Sequence, residues 1–302
     1  MHGRLGARPE GRRPAAGDRA LPLKRSWLFV PGADEAAHAA AARSGADVII
    51  LELEDFTPPP LRPRARQLSA NAFDAWRKAG ALAAVRVNPL ESGGADDLAG
   101  IARPDIVLMS KVETAQQVRR LEEAAPPGVE LVPNIESAAA LVRAIEIARA
   151  SRQVSALLVA SEDMVADLGT VRSRSGEELA YVRSRFLVEC RAAGVEAIDA
   201  PYTFSDAKGA VADARHAKRL GYRMKSLVDP SHARPINAVF TASTAELGKA
   251  RKIVRAFEEA REAGRDRARV DGALIEVPIY AAARRLLESS ERTPPPPRKK
   301  PR

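Results

Sequence analysis

The stretch "LLVASEDMVADLG" (157–169) runs apolar for four residues and then sets Glu162 beside Asp163. An unpaired buried charge is costly, so acids ending such a run either face water or meet a cation. The same arrangement recurs along the chain. "LELED" supplies Glu52, Glu54 and Asp55, and "VRVNP" supplies Arg86 and Asn88, two apart and so on one face of a strand. "MSKVE" supplies Lys111 and Glu113, "NIES" supplies Glu136, "IDAP" supplies Asp199, and Lys225 lies in "YRMKSLV". Two carboxylates at the ends of adjacent strands suit a hard cation, because Mg²⁺ takes one or two protein carboxylates and keeps positions open for substrate oxygens. Glu136 with Asp163 or Glu162 meets that description; a plain salt-bridged rim meets it too.

The remaining groups read more simply. Glu113 is a first-turn acid favoured by the helix dipole. Asp199 caps a turn, and Asp167 belongs to the start of a loop. Lys225 is either a desolvated Schiff-base nucleophile or, more simply, a partner of the pocket acids. The four histidines show no HxxxH spacing, and His38 and His216 read as surface residues of helices, so zinc is not indicated.

What must position these groups is a run of short Val/Ile/Leu segments alternating with Ala-rich amphipathic ones, the pattern of repeated βα units. Strands are expected at 26–30, 47–53, 81–87, 105–109, 129–135, 155–160, 195–200 and 222–228. Helices are expected at 34–44, 114–125, 137–150, 175–193 and 206–220, with Thr114 and Ser137 as N-caps and Gly194 and Gly221 as stops. Eight strands in about 200 residues predict a (β/α)₈ TIM barrel with its active site at the C-terminal strand ends. A doubly wound open sheet is the alternative, but neither GxGxxG nor GxxxxGK[ST] is present. Extra C-terminal helices near 232–240, 244–263 and 278–288 follow, as a lid or an oligomer contact. The expected organisation is a basic disordered extension (1–24), a barrel (25–230), a C-terminal helical segment (231–288) and a basic Pro-rich tail (289–302).

The net charge of +9 would suggest nucleic acid, but residues 1–24 and 289–302 each carry +4, which leaves +1 for the body. Neither tail interleaves aromatics on which bases could stack, so specific nucleic-acid binding is not expected. The single cysteine, Cys190, excludes an intrachain disulfide and fits a reducing cytoplasm. No apolar run approaches the roughly 18 residues of a membrane span.

Eight segments, in order over about 25–288, resemble the citrate lyase β-subunit family, the CoA-ester lyases of the HpcH/HpaI aldolase group. They are "RSWLFVPG", "SGADVIILELED", "VRVNPLES", "SKVET", "PNIESA", "SEDMVADLG", "YVRSRFLVECRAAGVEAID" and "DPSHARPINAVFTAS". The resemblance implies a (β/α)₈ barrel assembling as trimers or hexamers, with Mg²⁺ held by Glu136 and Asp163. It makes Arg86 the group for the substrate carboxylate or enolate and Arg25 a further anion contact. Glu54 and Asp55 would orient water and arginine around the metal, with Glu162 a further acid of that kind, and Pro31 and Gly32 would shape the CoA entrance. The implied reaction is reversible carbon–carbon cleavage of a citryl-, malyl- or citramalyl-type thioester to an acyl-CoA and a keto or aldehyde acid. An aldolase on free 2-keto acids and a non-catalytic binding or assembly protein are the competing readings.

Four departures bear on the substrate. Ala160-Ser161 replaces the family's Gly-Ala pair, Asp229-Pro230 replaces its His-Pro, and "TPPPLRP" (57–63) is inserted after strand two. Glu276 in "IEVP" stands where the family has an aspartate that reaches a neighbouring subunit's site.

Overall fold

The structure, a computed structural model, describes residues 23–291. Apart from 23–24 and 289–291, the two basic segments expected to be disordered lie outside the described residues. Lys24 itself is ordered by Glu130, 2.5 Å away, and 289–291 complete a helix.

Eight parallel strands close into a barrel: β1 (Ser26–Pro31), β2 (Val48–Glu52), β3 (Leu82–Val87), β4 (Ile106–Met109), β5 (Glu130–Ile135), β6 (Ala156–Val159), β7 (Glu196–Asp199) and β8 (Met224–Leu227). Around them run α1 (Glu35–Ser44), α2 (Arg62–Lys78), α3 (Gly94–Gly100), α4 (Ala115–Ala124), α5 (Ala138–Leu141), α6 (Ala144–Arg149), α7 (Glu162–Asp167), α8 (Ala180–Ala193), α9 (Ala207–Leu220) and α10 (Ala233–Phe240). This is the (β/α)₈ barrel expected from the strand pattern.

Alternation along each strand sorts its side chains between two cores. Trp27, Phe29, Val48, Ile50, Ala84, Leu108, Leu158 and Ile198 fill the barrel interior. Their neighbours Leu28, Val30, Ile49, Leu51, Val85 and Val107 pack outward against the helices. Both faces are buried, which is why the strands read as unbroken apolar runs.

The helix ends follow local chemistry. Thr114 and Gln117 form a capping box, Ser137 accepts the amide of Ala140, and Gly194 and Gly221 take positive φ to end α8 and α9. The helix expected over 137–150 breaks at Val142–Arg143 into α5 and α6. Helices α2, α3 and α7 were not expected. The last begins where a strand end was anticipated.

Two compact units result. One spans Lys24–Thr241 and therefore includes α10, which moves the boundary beyond the expected residue 230. From Ala242 the second unit contains α11 (Thr244–Glu262), an antiparallel hairpin of β9 (Ala268–Val270) and β10 (Ala273–Ile275), and α12 (Val277–Glu291). Its own core includes Ile253, Phe257, Ala260, Ala268 and Ile275, with Phe257 stacked on Tyr280 at 4.6 Å. The hairpin is too short to stand out in sequence.

Gly32, just past β1, is held by close packing. Its N–H faces Glu52 O at 3.1 Å and Thr57 Oγ1 at 2.9 Å, and a Cβ there would lie 2.7 Å from Glu52 O and 2.8 Å from Ala65 Cβ. Gly32→Ala is expected to cost about 1–3 kcal/mol, seen as a lower denaturant midpoint at unchanged slope.

Candidate active site

Parallel strands bring all eight C-terminal ends to one rim, and register decides which side chains meet there. Glu52 pairs with Arg86 across β2 and β3, and both continue the inward-facing set of their strands. The Arg86 Nε–H accordingly donates to Glu52 Oε1 at 2.8 Å. Glu54 Oε2 stands 3.2 Å from Arg86 Nη2, Asp55 Oδ2 3.5 Å from it, and Glu136 Oε1 3.9 Å from Nη1. The guanidinium also lies over Phe29, 4.9 Å from the ring centroid, with Phe56 at 6.0 Å. Glu52, fully buried, accepts the amides of Glu54 (2.6 Å) and Phe56 (2.5 Å) besides, so one carboxylate both fixes Arg86 and folds the 54–56 turn. Lys111 Nζ donates to Glu54 Oε1.

Glu136 comes from the residue after β5, and Asp163 from the first turn of α7. They line one cavity of about 270 Å³ with Lys111, Val112, Glu113, Ser137 and Asp167. A second cavity of about 160 Å³ is lined by Phe29, Phe56, Leu158, Ala160, Val228, Pro201, Thr203, Asp55, Arg86 and residues 161–163. Asp163 lines both.

Electrostatically the cluster is unbalanced. Glu52, Glu54, Asp55, Glu136 and Asp163 stand with Arg86 and Lys111, a formal excess of three negative charges when every acid is ionised. Burial, with Asp163 and Glu54 near, pushes Glu136 up to about 7 despite the pull of Arg86. Burial also raises Glu54, against Arg86 and Lys111. Burial works against the charge of Arg86, but Glu52, Glu54 and Glu136 more than offset it and hold it protonated above an ordinary arginine. Glu136 Oε1 accepts from Asn134 Nδ2 at 3.2 Å, whereas its buried Oε2 has no hydrogen-bond donor. A buried anionic oxygen without a donor, facing a second carboxylate across a cavity, fits a hard cation. Among the described residues no group of three or more His, Cys, Asp or Glu could hold a metal, and Glu136 and Asp163 are two carboxylates lining one cavity.

Several residues singled out from the sequence make contacts other than those expected. Arg25 precedes β1, at the opposite end of the barrel from the rim. Its Nε and Nη2 bind Asp47 at 2.8 and 2.9 Å and its Nη1 donates to Thr241 Oγ1 at 2.6 Å, so it ties strand starts to α10 and lines neither cavity. Pro31 and Gly32 line neither cavity; Pro31 O meets His38 Nε2 at 3.0 Å, and Gly32 is a packing residue. His38 is buried against Trp76 rather than exposed, and burial lowers its pKa. Asn88 turns away to Asp97 (2.7 Å) and Leu53 O (2.9 Å). Lys225 and Asp199 face outward from the barrel, in a buried network with Arg183 and Asp213. Glu162, at the exposed edge of the smaller cavity, accepts from Thr203 Oγ1 (2.8 Å), and Asp167, in the lining of the larger one, ends α7 and accepts the Ala138 N–H at 2.7 Å. Glu276, exposed, belongs to the second unit, where its carbonyl accepts from Ile279 and Tyr280 at the start of α12. Phe29, Phe56 and Asn134 were not singled out from the sequence; Phe56 stands two residues from Glu54 and Asn134 two from Glu136, which is the signal that could have found them, whereas β1 carries no rim charge to point to Phe29.

Residues 25–230 match the family model of HpcH/HpaI aldolase/citrate lyase. Citrate lyase subunit beta of Escherichia coli (strain K12) is 32% identical over 278 residues, 87% of this chain and 92% of that protein. A (3S)-malyl-CoA thioesterase of Cereibacter sphaeroides is 32% identical over 268 residues, 87% of this chain and 93% of that protein. In structure, the CitE protein of Mycobacterium tuberculosis in complex with magnesium, acetoacetate and coenzyme A superposes with a TM-score of 0.72 at 27% identity, over 90% of this chain and 100% of that one.

Proposed function

This chain belongs to the HpcH/HpaI aldolase/citrate lyase family, and from that premise we propose that it is a Mg²⁺-dependent CoA-ester lyase. It would cleave a hydroxyacyl thioester reversibly into an acyl-CoA and a keto or aldehyde acid. The observation that carries this reading is the donor-less buried Oε2 of Glu136 in the cavity it shares with Asp163, beside a guanidinium fixed by carboxylates. The magnesium, acetoacetate and coenzyme A bound by the Mycobacterium tuberculosis relative support it.

Glu136 and Asp163 would hold the metal, which when bound supplies Lewis-acid polarisation of the keto-acid carbonyl. The chain's own residues do the rest. Arg86 is fixed along one edge by Glu52 and at Nη2 by Glu54, so Nη1 is the donor left toward Glu136, 3.9 Å away. It is placed to meet an enolate oxygen as charge develops there, without reorganising at that moment. Phe29, Phe56, Leu158 and Val228 exclude water around the acyl carbon. The excess of three negative charges also makes the order of binding physical: an anionic acid is repelled until a divalent cation is in place.

Thermal unfolding tests this. Mg²⁺ with oxaloacetate or glyoxylate at 100-fold Kd is expected to stabilise the protein by about 2.7 kcal/mol, a Tm rise of roughly 5 °C. Citramalyl-, malyl- or methylmalyl-CoA should then be cleaved with a Mg²⁺ requirement. Absence of any stabilisation by Mg²⁺ plus acid sinks the metal reading, and turnover of free acids that ignores the thioester replaces it with the free-acid aldolase.

A further inference from the structure

Two non-glycine residues among those described have positive φ. Asp271 sits in the two-residue turn between β9 and β10, where that geometry is required. Lys111, with φ of 54°, sits in no hairpin; it follows β4 by two residues and leads toward α4. Backbone strain of this kind persists where the surroundings impose it, and it gathers at functional sites.

The strand pattern shows what the strain achieves. Ile106 and Leu108 face the barrel interior, and alternation would send Lys111 outward among the helices. The left-handed turn reverses that, and carries the ammonium to the rim, where it binds Glu54 and stands 4.0 Å from Asp55 Oδ1. Its side chain is half exposed and lines the 270 Å³ cavity, in which it is the only cation among four acids. Two of those acids already have partners: Glu113 Oε1 accepts from Ser137 Oγ at 2.9 Å, and Asp167 Oδ2 from the Ala138 N–H. The other two, Glu136 and Asp163, are those placed to take a cation. Glu54, for its part, keeps Arg86 at 3.2 Å if Lys111 lets go.

We propose that Lys111 is a specificity-determining residue that pairs with a second carboxylate on the acid half of the substrate. It thereby selects 2-oxo dicarboxylates over 2-oxo monocarboxylates. A monocarboxylate finds its counter-charge in the metal and Arg86, but a dicarboxylate needs one more cation, and in this cavity Lys111 is the one supplied. The proposal rests on the metal-dependent reading above.

Calorimetric titration of the full chain with Mg²⁺, then with oxaloacetate and with pyruvate at saturating Mg²⁺, tests it. The wild type is expected to bind oxaloacetate at least about tenfold more tightly than pyruvate, the order of one charge-assisted contact. Lys111→Met should bring the two within about twofold by weakening oxaloacetate alone, and Lys111→Arg should keep most of the preference. Lys111→Gly removes the charge while relieving the backbone, so it should match Lys111→Met in selectivity without loss of Tm. Mg²⁺ affinity measured without any acid should stay within about twofold throughout. Equal weakening of both acids in Lys111→Met and Lys111→Gly, or no preference in the wild type, overturns the proposal while leaving the lyase reading intact. Failure of the wild type to bind Mg²⁺ brings down the lyase reading itself.

Discussion

Asp163→Ala is expected to lower turnover on the order of 10³-fold or more and to abolish stabilisation by Mg²⁺. The fold should survive, because Asp163 is only half-buried at the start of α7 and its removal relieves an excess of negative charge beside Glu136. Unliganded Tm should therefore be unchanged or slightly higher, while the Mg²⁺-dependent increment disappears. Glu162→Ala is the control. That side chain is exposed and occupied by Thr203 and, at 3.6 Å, by Arg172, so its loss should cost far less. A variant lacking Asp163 that is still stabilised by Mg²⁺ to the wild-type extent would place the metal elsewhere.

The largest effect on stability should come from the other ionic cluster, on the outer side of the barrel wall. Asp199 binds Arg183 through both oxygens, at 2.8 and 2.7 Å, and Lys225 Nζ at 2.6 Å; Asp213 binds Arg183 at 2.8 Å and Lys225 at 2.5 Å. Lys225 is entirely buried, so Asp199→Ala would leave two buried cations with one anion. The expected cost is about 3–5 kcal/mol, measured by urea unfolding at pH 7. A loss below about 1 kcal/mol would mean the cluster is hydrated. Acid should act on the same network. Burial would raise Asp213, but Lys225 and Arg183 outweigh it and hold it at about 2, below the ordinary 3.8. Its folded pKa is thus depressed, so its contribution is complete above about pH 4 and is lost as pH falls toward 2. That share is on the order of 2 kcal/mol, and Asp213→Asn should flatten the decline over this window.

These two clusters show what composition and periodicity reveal. All eight strands were legible because burial on both faces leaves unbroken apolar runs, and the helix ends because Thr114, Ser137, Gly194 and Gly221 act through their own backbone. Helix α2 was hidden by its proline-rich start at 58–60 and its polar composition; its apolar stripe is the narrow set Ala65, Ala72, Phe73 and Trp76. Charge at a strand end was legible too, and it led to Glu54, Arg86, Lys111, Glu136 and Asp163. It did not point to Arg25, which came from the resemblance alone and closes the far end of the barrel on Asp47. Nor could it say which way a side chain turns after the last strand residue. Asn88, two residues from Arg86, leaves the barrel for Asp97, and Lys111 is turned inward against the strand's own alternation.

Asp167 has a consequence of its own. Its bond to the Ala138 N–H joins the far end of α7 to the start of α5, two residues past Glu136 and four past Asp163. With the bond from the Ala160 N–H to Ile135 O at 3.0 Å, it closes a small loop of residues 135–138 and 160–167 that carries Glu136 and Asp163, the two carboxylates proposed for the metal. The bite between them is consequently set when the chain folds, like the jaws of a clamp locked by a pin behind the hinge. An ion that needs a wider or narrower span than Mg²⁺ would have to draw that pin.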